Sequence, residues 1–109
     1  MTDNRPISER YHEAAVQWCD EEAAATILSE TKSAIFSEMI SNLISSNLNI
    51  ALNRAEVIVK SSPDWRSYVT RMVDQRKKAN LCKVQMEYLR MLHSENQSRE
   101  ATARMEMRV

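Results

Sequence analysis

Glycine is missing altogether from the 109 residues, where average usage of roughly 7% would supply about eight. That absence removes Gly-rich phosphate loops, the GxGxxG turn and Gly-dependent β-hairpins, and with them nucleotide-binding α/β folds and β-barrels. Proline occurs only at Pro6 and Pro63, so little else punctuates a helix. The two cysteines, Cys19 and Cys82, form no CxxC pair and read as reduced thiols. Long apolar runs are also lacking: the longest, such as Val57-Ile58-Val59, have three residues, against the roughly 18 of a membrane span. Residues 1–10 carry no apolar h-region of a secretory signal. Neither charge sign dominates, with 15 Lys+Arg against 15 Asp+Glu. A 28% charged, 43% hydrophobic composition is that of one ordinary folded domain. The expectation is a soluble, cytoplasmic, all-α protein.

What is present is helical periodicity. Residues 1–7 read as a flexible polar leader and 8–109 as a single helical domain. Ser8 is the expected N-cap, followed by Glu9 at the positive end of the helix dipole. Tyr11, Ala14, Ala15, Trp18, Ala25, Leu28, Ile35, Phe36, Met39 and Leu43 then recur at spacings of three and four, the stripe of an amphipathic helix over about 8–45. The Ser- and Asn-rich stretch from Ser41 to Asn49 weakens it, because these side chains compete for backbone hydrogen bonds. A break near 45–49 is expected, with Asn47 or Asn49 capping a short helix over about 49–61. The competing reading is one uninterrupted helix from 8 to 61.

Ser61-Ser62-Pro63-Asp64-Trp65 marks a new start, with Ser62 as N-cap, Pro63 at the first helical position and Asp64 in the first turn. From there to about 107 nothing breaks a helix. Trp65, Tyr68, Met72, Gln75, Ala79, Cys82, Met86 and Leu89 follow a 3–4 alternation, the heptad seam of a coiled coil. Leu81, Val84, Tyr88 and Leu92 form a second apolar row. A 45-residue helix is roughly 67 Å long, and a short partner cannot cover two rows. The expected architecture is a long helical hairpin assembling into an oligomeric coiled coil or bundle. Its core and oligomer seam take in Trp18, Leu28, Ile35 and Met39 opposite Trp65, Tyr68, Met72, Ala79, Cys82, Met86 and Leu89. With the hairpin turn placed near residue 62, Cys82 should face about residue 42, and both cysteines should behave as core thiols.

Charge is unevenly divided. Residues 1–59 hold four bases and nine acids, a balance of −5; residues 60–109 hold eleven bases and six acids, a balance of +5. Lys60, Arg66, Arg71, Arg76, Lys77, Lys78 and Lys83 form a basic stretch that fits a phosphate backbone. It fits equally an acidic helix packed antiparallel to a basic one. Trp65 and Tyr68 beside Arg66 and Arg71 offer either a base-stacking platform or plain core. On their 100° spacing, Arg76 should lie near the seam while Lys77 and Lys78 point to solvent.

No catalytic or metal constellation assembles. His12 and His93 are isolated, and no HExxH occurs. The carboxylates of Asp74, Glu95 and Glu100 stand four residues before Lys78, Arg99 and Arg104, the spacing of surface helix supports. The reading is therefore non-enzymatic, without cofactor or metal. Five of the seven methionines fall between Met72 and Met107, which suits an adaptable binding face or ordinary packing.

Through Ser62-Pro63-Asp64-Trp65, Glu87-Tyr88-Leu89-Arg90-Met91 and the tail from Ser94 to Arg108, the chain resembles small helical proteins of bacteriophages and prophages, often encoded near DNA recombination genes. The resemblance implies an accessory role in DNA metabolism inside a bacterial host cell and supplies no catalytic residues. Three functions follow as expectations. The first is an oligomeric interaction protein with a protein partner in DNA metabolism. The second is a direct single- or double-stranded DNA binder using the basic stretch. The third is an inhibitor of a host factor, with the acidic first helix as a nucleic-acid mimic.

Overall fold

The structure is a computed structural model that describes residues 3–108; Met1 and Thr2 of the leader, and Val109, lie outside the described residues. Three helices account for most of it: α1 (Ile7–Ser46), α2 (Leu52–Ser61) and α3 (Pro63–Met107). The described residues contain no strand, so the all-α expectation and its three segments hold.

Helix ends show which local signals won. The N–H groups of Glu9 and Arg10 donate to the Pro6 carbonyl at 3.1 and 3.2 Å, so the helix opens at Ile7 and Ser8 lies inside its first turn rather than capping it. At the other end of α1, the Asn47 N–H closes the last turn on the Leu43 carbonyl at 3.0 Å, and the Ser46 hydroxyl lies 3.0 Å from both the Asn42 and Leu43 carbonyls. The uninterrupted helix from 8 to 61 is thereby excluded. Asn47 turns the chain: its Oδ1 accepts from the Asn49 N–H at 3.3 Å and its carbonyl from the Ile50 N–H at 3.2 Å. Having spent its side chain on that turn, Asn47 does not cap α2. The cap position is Ala51, with no side-chain hydrogen bond, so neither Asn47 nor Asn49 plays the expected role.

Ser62 does. Its backbone is extended (φ −73°, ψ 148°), as the residue before a proline prefers. Its Oγ accepts from the Trp65 N–H at 3.3 Å and donates to the Val59 carbonyl at 2.6 Å. One hydroxyl thus closes α2 and opens α3.

The chain divides into two compact units: residues 23–77, and residues 1–22 with 78–109. In the first, Ile40, Ala55 and Val59 are buried, with Phe36, Met39, Leu43, Ile44, Ile50 and Trp65 packed around them. The Phe36 ring meets Trp65 at 4.9 Å between centroids and lies 5.8 Å from the Lys60 ammonium. The end of α2 and the start of α3 therefore reach the same residue of α1. The chain reverses at residues 47–51, where Asn47 turns it, and the Pro63 break changes the helix axis without a second reversal. Further along, the Tyr68 hydroxyl donates to the Leu28 carbonyl at 2.5 Å and lies 3.0 Å from Thr31 Oγ1.

In the second unit Ala14, Ala79 and Leu89 are buried. Lys78 meets Glu21 at 3.4 Å and the Lys83 ammonium lies 6.0 Å from the Trp18 ring centre. Cys82 is consequently level with about residues 18–19, not 42: the expected register placed the reversal at Pro63, a dozen residues too late. Cys82 is half-buried, whereas Cys19 is exposed and is not a core thiol.

The periodic reading survives in both units. Of the α3 seam, Tyr68, Ala79 and Leu89 are buried and Trp65, Met72, Gln75, Cys82 and Met86 half-buried. All ten stripe positions of α1, among them Trp18, Leu28, Ile35 and Met39, are buried or half-buried. Trp65 stacks on Tyr68 (5.7 Å, 11° between planes) while Phe36 tilts against it. Trp65→Ala, which empties this three-ring cluster, should lower stability by about 3 kcal/mol. Tyr68→Phe, which keeps the ring and deletes only the hydroxyl with its contacts to the Leu28 carbonyl and Thr31 Oγ1, should cost less, about 1 kcal/mol for each hydrogen bond lost. Urea melts of the two variants check the order, and an equal loss would contradict it.

Candidate functional site

α3 carries six of the seven basic candidates, and their spacing scatters them around its circumference. Arg66, Arg71, Lys77, Lys78 and Lys83 are exposed and Arg76 is half-buried, as its place beside the seam requires. Several are engaged within their own unit. Lys60 lies over Phe36, and Arg71 over Tyr68 at 5.7 Å; Lys83 lies over Trp18. These are the distances at which a cation is drawn to a ring face. Lys78, spaced to pair with Asp74, reaches Glu21 of α1 instead. The acidic first helix and the basic third thus meet directly there, and aromatic rings take up much of the remaining positive charge. No single face collects the seven.

Trp65 is similarly committed. Its ring is stacked on Tyr68 and covered by Phe36, which makes it packing rather than an open platform. Beside it, Lys32, Ser33, Phe36, Lys60 and Trp65 line an open cleft of about 350 Å³. Lys32 was no candidate in the sequence, because only the helix register brings it level with Lys60.

A polar cluster at the start of α1 was also invisible to periodicity. Arg5 donates to both carboxylate oxygens of Asp3, at 3.1 and 2.9 Å, and its other terminal nitrogen pairs with Glu13. Arg10 joins Asp3 at 3.4 Å. These groups edge a cleft of about 160 Å³ that Gln85 and Leu89 complete from α3. The Arg5 side-chain hydrogen bonds, then the Arg5 backbone N–H, hold the Asp3 carboxyl well below its ordinary 3.8, at about 2. Among the described residues no group of three His, Cys, Asp or Glu side chains is placed to hold a metal ion. No helix among the described residues is long and apolar enough to cross a membrane.

α3 also presents an apolar row to solvent. Leu81, Val84, Tyr88 and Met91 are 60, 62, 53 and 59% exposed, whereas Leu92, from the same expected row, is half-buried. Each of the four lies two residues after a seam position, hence roughly 200° around the helix, on the side away from α1. No protein family, curated protein or solved structure matches the chain.

The Asp3 cluster is testable by titration. Because its folded value is depressed, the Asp3–Arg5 pairing contributes at pH above the ordinary 3.8 and is lost as pH falls through about 2. Carboxyl-carbon NMR should give an Asp3 midpoint near 2, and Arg5→Gln should return it towards 3.8. A wild-type midpoint near the ordinary value would show the cluster is not formed in solution.

Proposed function

We propose that this chain is a non-enzymatic, oligomeric helical protein of phage or prophage type. It works in the cytoplasm of a bacterial host as an accessory interaction protein in DNA metabolism or recombination. The observation that carries the oligomeric, face-to-face mode of action is the exposed apolar row Leu81–Val84–Tyr88–Met91. Four large apolar side chains along one stripe of a long helix mark an interaction surface. The engagement of Lys60, Arg71, Lys78 and Lys83 within the fold supports protein contact over direct DNA contact as the primary mode. The tail resemblance to phage proteins supports the setting in DNA metabolism.

Two measurements test this. Light scattering at micromolar concentration should give a mass of at least twice 12.6 kDa; a fully helical monomer would refute the oligomer. Fluorescence anisotropy against single- and double-stranded DNA over a salt series should show little binding at 50 mM salt. A steep salt slope, weakened by about one unit per lost contact in the Lys77→Gln, Lys78→Gln double variant with its melting temperature unchanged, would establish direct DNA binding instead.

A further inference from the structure

We infer that the row Leu81–Val84–Tyr88–Met91 pairs with the same row of a second copy, antiparallel, about a two-fold axis at Met86. The inference rests on the oligomeric reading above and names its interface. The row lies wholly within the unit formed by residues 1–22 and 78–109.

Three observations select a second copy. First, the spacing along the row is three, four, three, which reads the same in either direction. An inverted copy centred on Met86 sets Leu81 opposite Met91 and Val84 opposite Tyr88, and each pair occurs twice. Second, size matches across the axis: the short Val84 leaves room for the Tyr88 ring of the other copy. A parallel pair would instead set ring on ring and leave Val84 against Val84, alternating overfilled with underfilled layers. Third, charge agrees. Lys77 stands four residues before Leu81 and Glu95 four residues after Met91, both exposed and on the same side of α3 as the row. An inverted copy centred on Met86 sets Lys77 opposite Glu95 at both ends of the row. Glu87, exposed beside the row, and Glu95, one turn past it, also argue against a polyanion as occupant, since they would face its phosphates.

The test uses the full chain. Val84→Glu places a charge at the axis of the proposed contact but on a side chain exposed in the single copy. It should raise the dimer dissociation constant at least about a hundredfold with helicity retained. Independently, in a Cys19→Ser, Cys82→Ala background, Leu81→Cys protein mixed with Met91→Cys protein should form a disulfide-linked heterodimer on mild oxidation, because opposed positions come within disulfide range. Leu81→Cys protein alone should not cross-link, since its two copies lie roughly 15 Å apart along the axis. Self-cross-linking of Leu81→Cys as efficient as the mixed reaction would overturn the antiparallel pairing, as would a Val84→Glu mass equal to wild type. A wild-type mass of 12.6 kDa would remove the oligomeric reading itself. A wild-type mass of twice that or more, unmoved by Val84→Glu, would leave that reading standing and remove this interface alone.

Discussion

Two helices lying side by side enclose no volume, and that geometric limit governs how this chain is built. A side chain on the contact line is shielded by the facing helix but remains open along both flanks. Only a residue small enough to vanish beneath its own backbone is fully covered. The burial pattern follows: Ala55 and Ala79 are wholly covered and Ala25 nearly so, whereas no large side chain is fully buried among the described residues. Alanine at the contact points lets helices approach closely, which gains dispersion along the line but removes little apolar area from water. Trp18, Met72, Met86 and Trp65 remain half-buried for the same reason.

A thin core shifts stabilisation onto features that need no interior. The Tyr68 hydroxyl reaches the Leu28 carbonyl because a tyrosine can lie across a helix pair with its ring on the contact line and its oxygen at the far backbone. Lysine ammonium and arginine guanidinium groups lie over the rings of Trp18, Phe36 and Tyr68, covering aromatic area that a third layer would otherwise cover. The three-ring cluster of Phe36, Trp65 and Tyr68 is the exception that explains itself. It sits where α2 supplies a third wall, through Ala55 and Val59, and so gains sides that a pair lacks.

How much of this could be read from residues alone depended on whether the signal was local. Helix identity, the 3–4 seam of α3 and the Ser62–Pro63–Asp64 start are set by neighbours within a turn or two, and they appear in the structure as expected. The reversal point was not legible in that way. Pro63 is the louder punctuation, yet a proline at the first position of a helix is compatible with continuing in nearly the same direction. The chain turns instead where Asn47 satisfies two backbone N–H groups that a helix would have used. Misplacing the reversal shifted the register, and with it the predicted neighbour of Cys82. The Asp3–Arg5–Glu13 cluster and the approach of Lys32 to Lys60 were unreadable for a related cause: they join residues whose proximity is set by tertiary register rather than by period.

The basic stretch shows why composition overstates function in a helix. Seven like charges between residues 60 and 83 look like a patch when written in one line, but a helix distributes consecutive residues at roughly 100° intervals around its axis. Arg76, Lys77 and Lys78 therefore face three directions, and Lys78 meets Glu21. The apolar residues of the same helix behave oppositely. Leu81, Val84, Tyr88 and Met91 are separated in sequence yet align on one face, because three- and four-residue steps bring a helix back to nearly the same side. Where helices pack in pairs, the periodic apolar row is thus the more specific pointer to a partner. The charges that border it serve best by deciding which way round that partner lies.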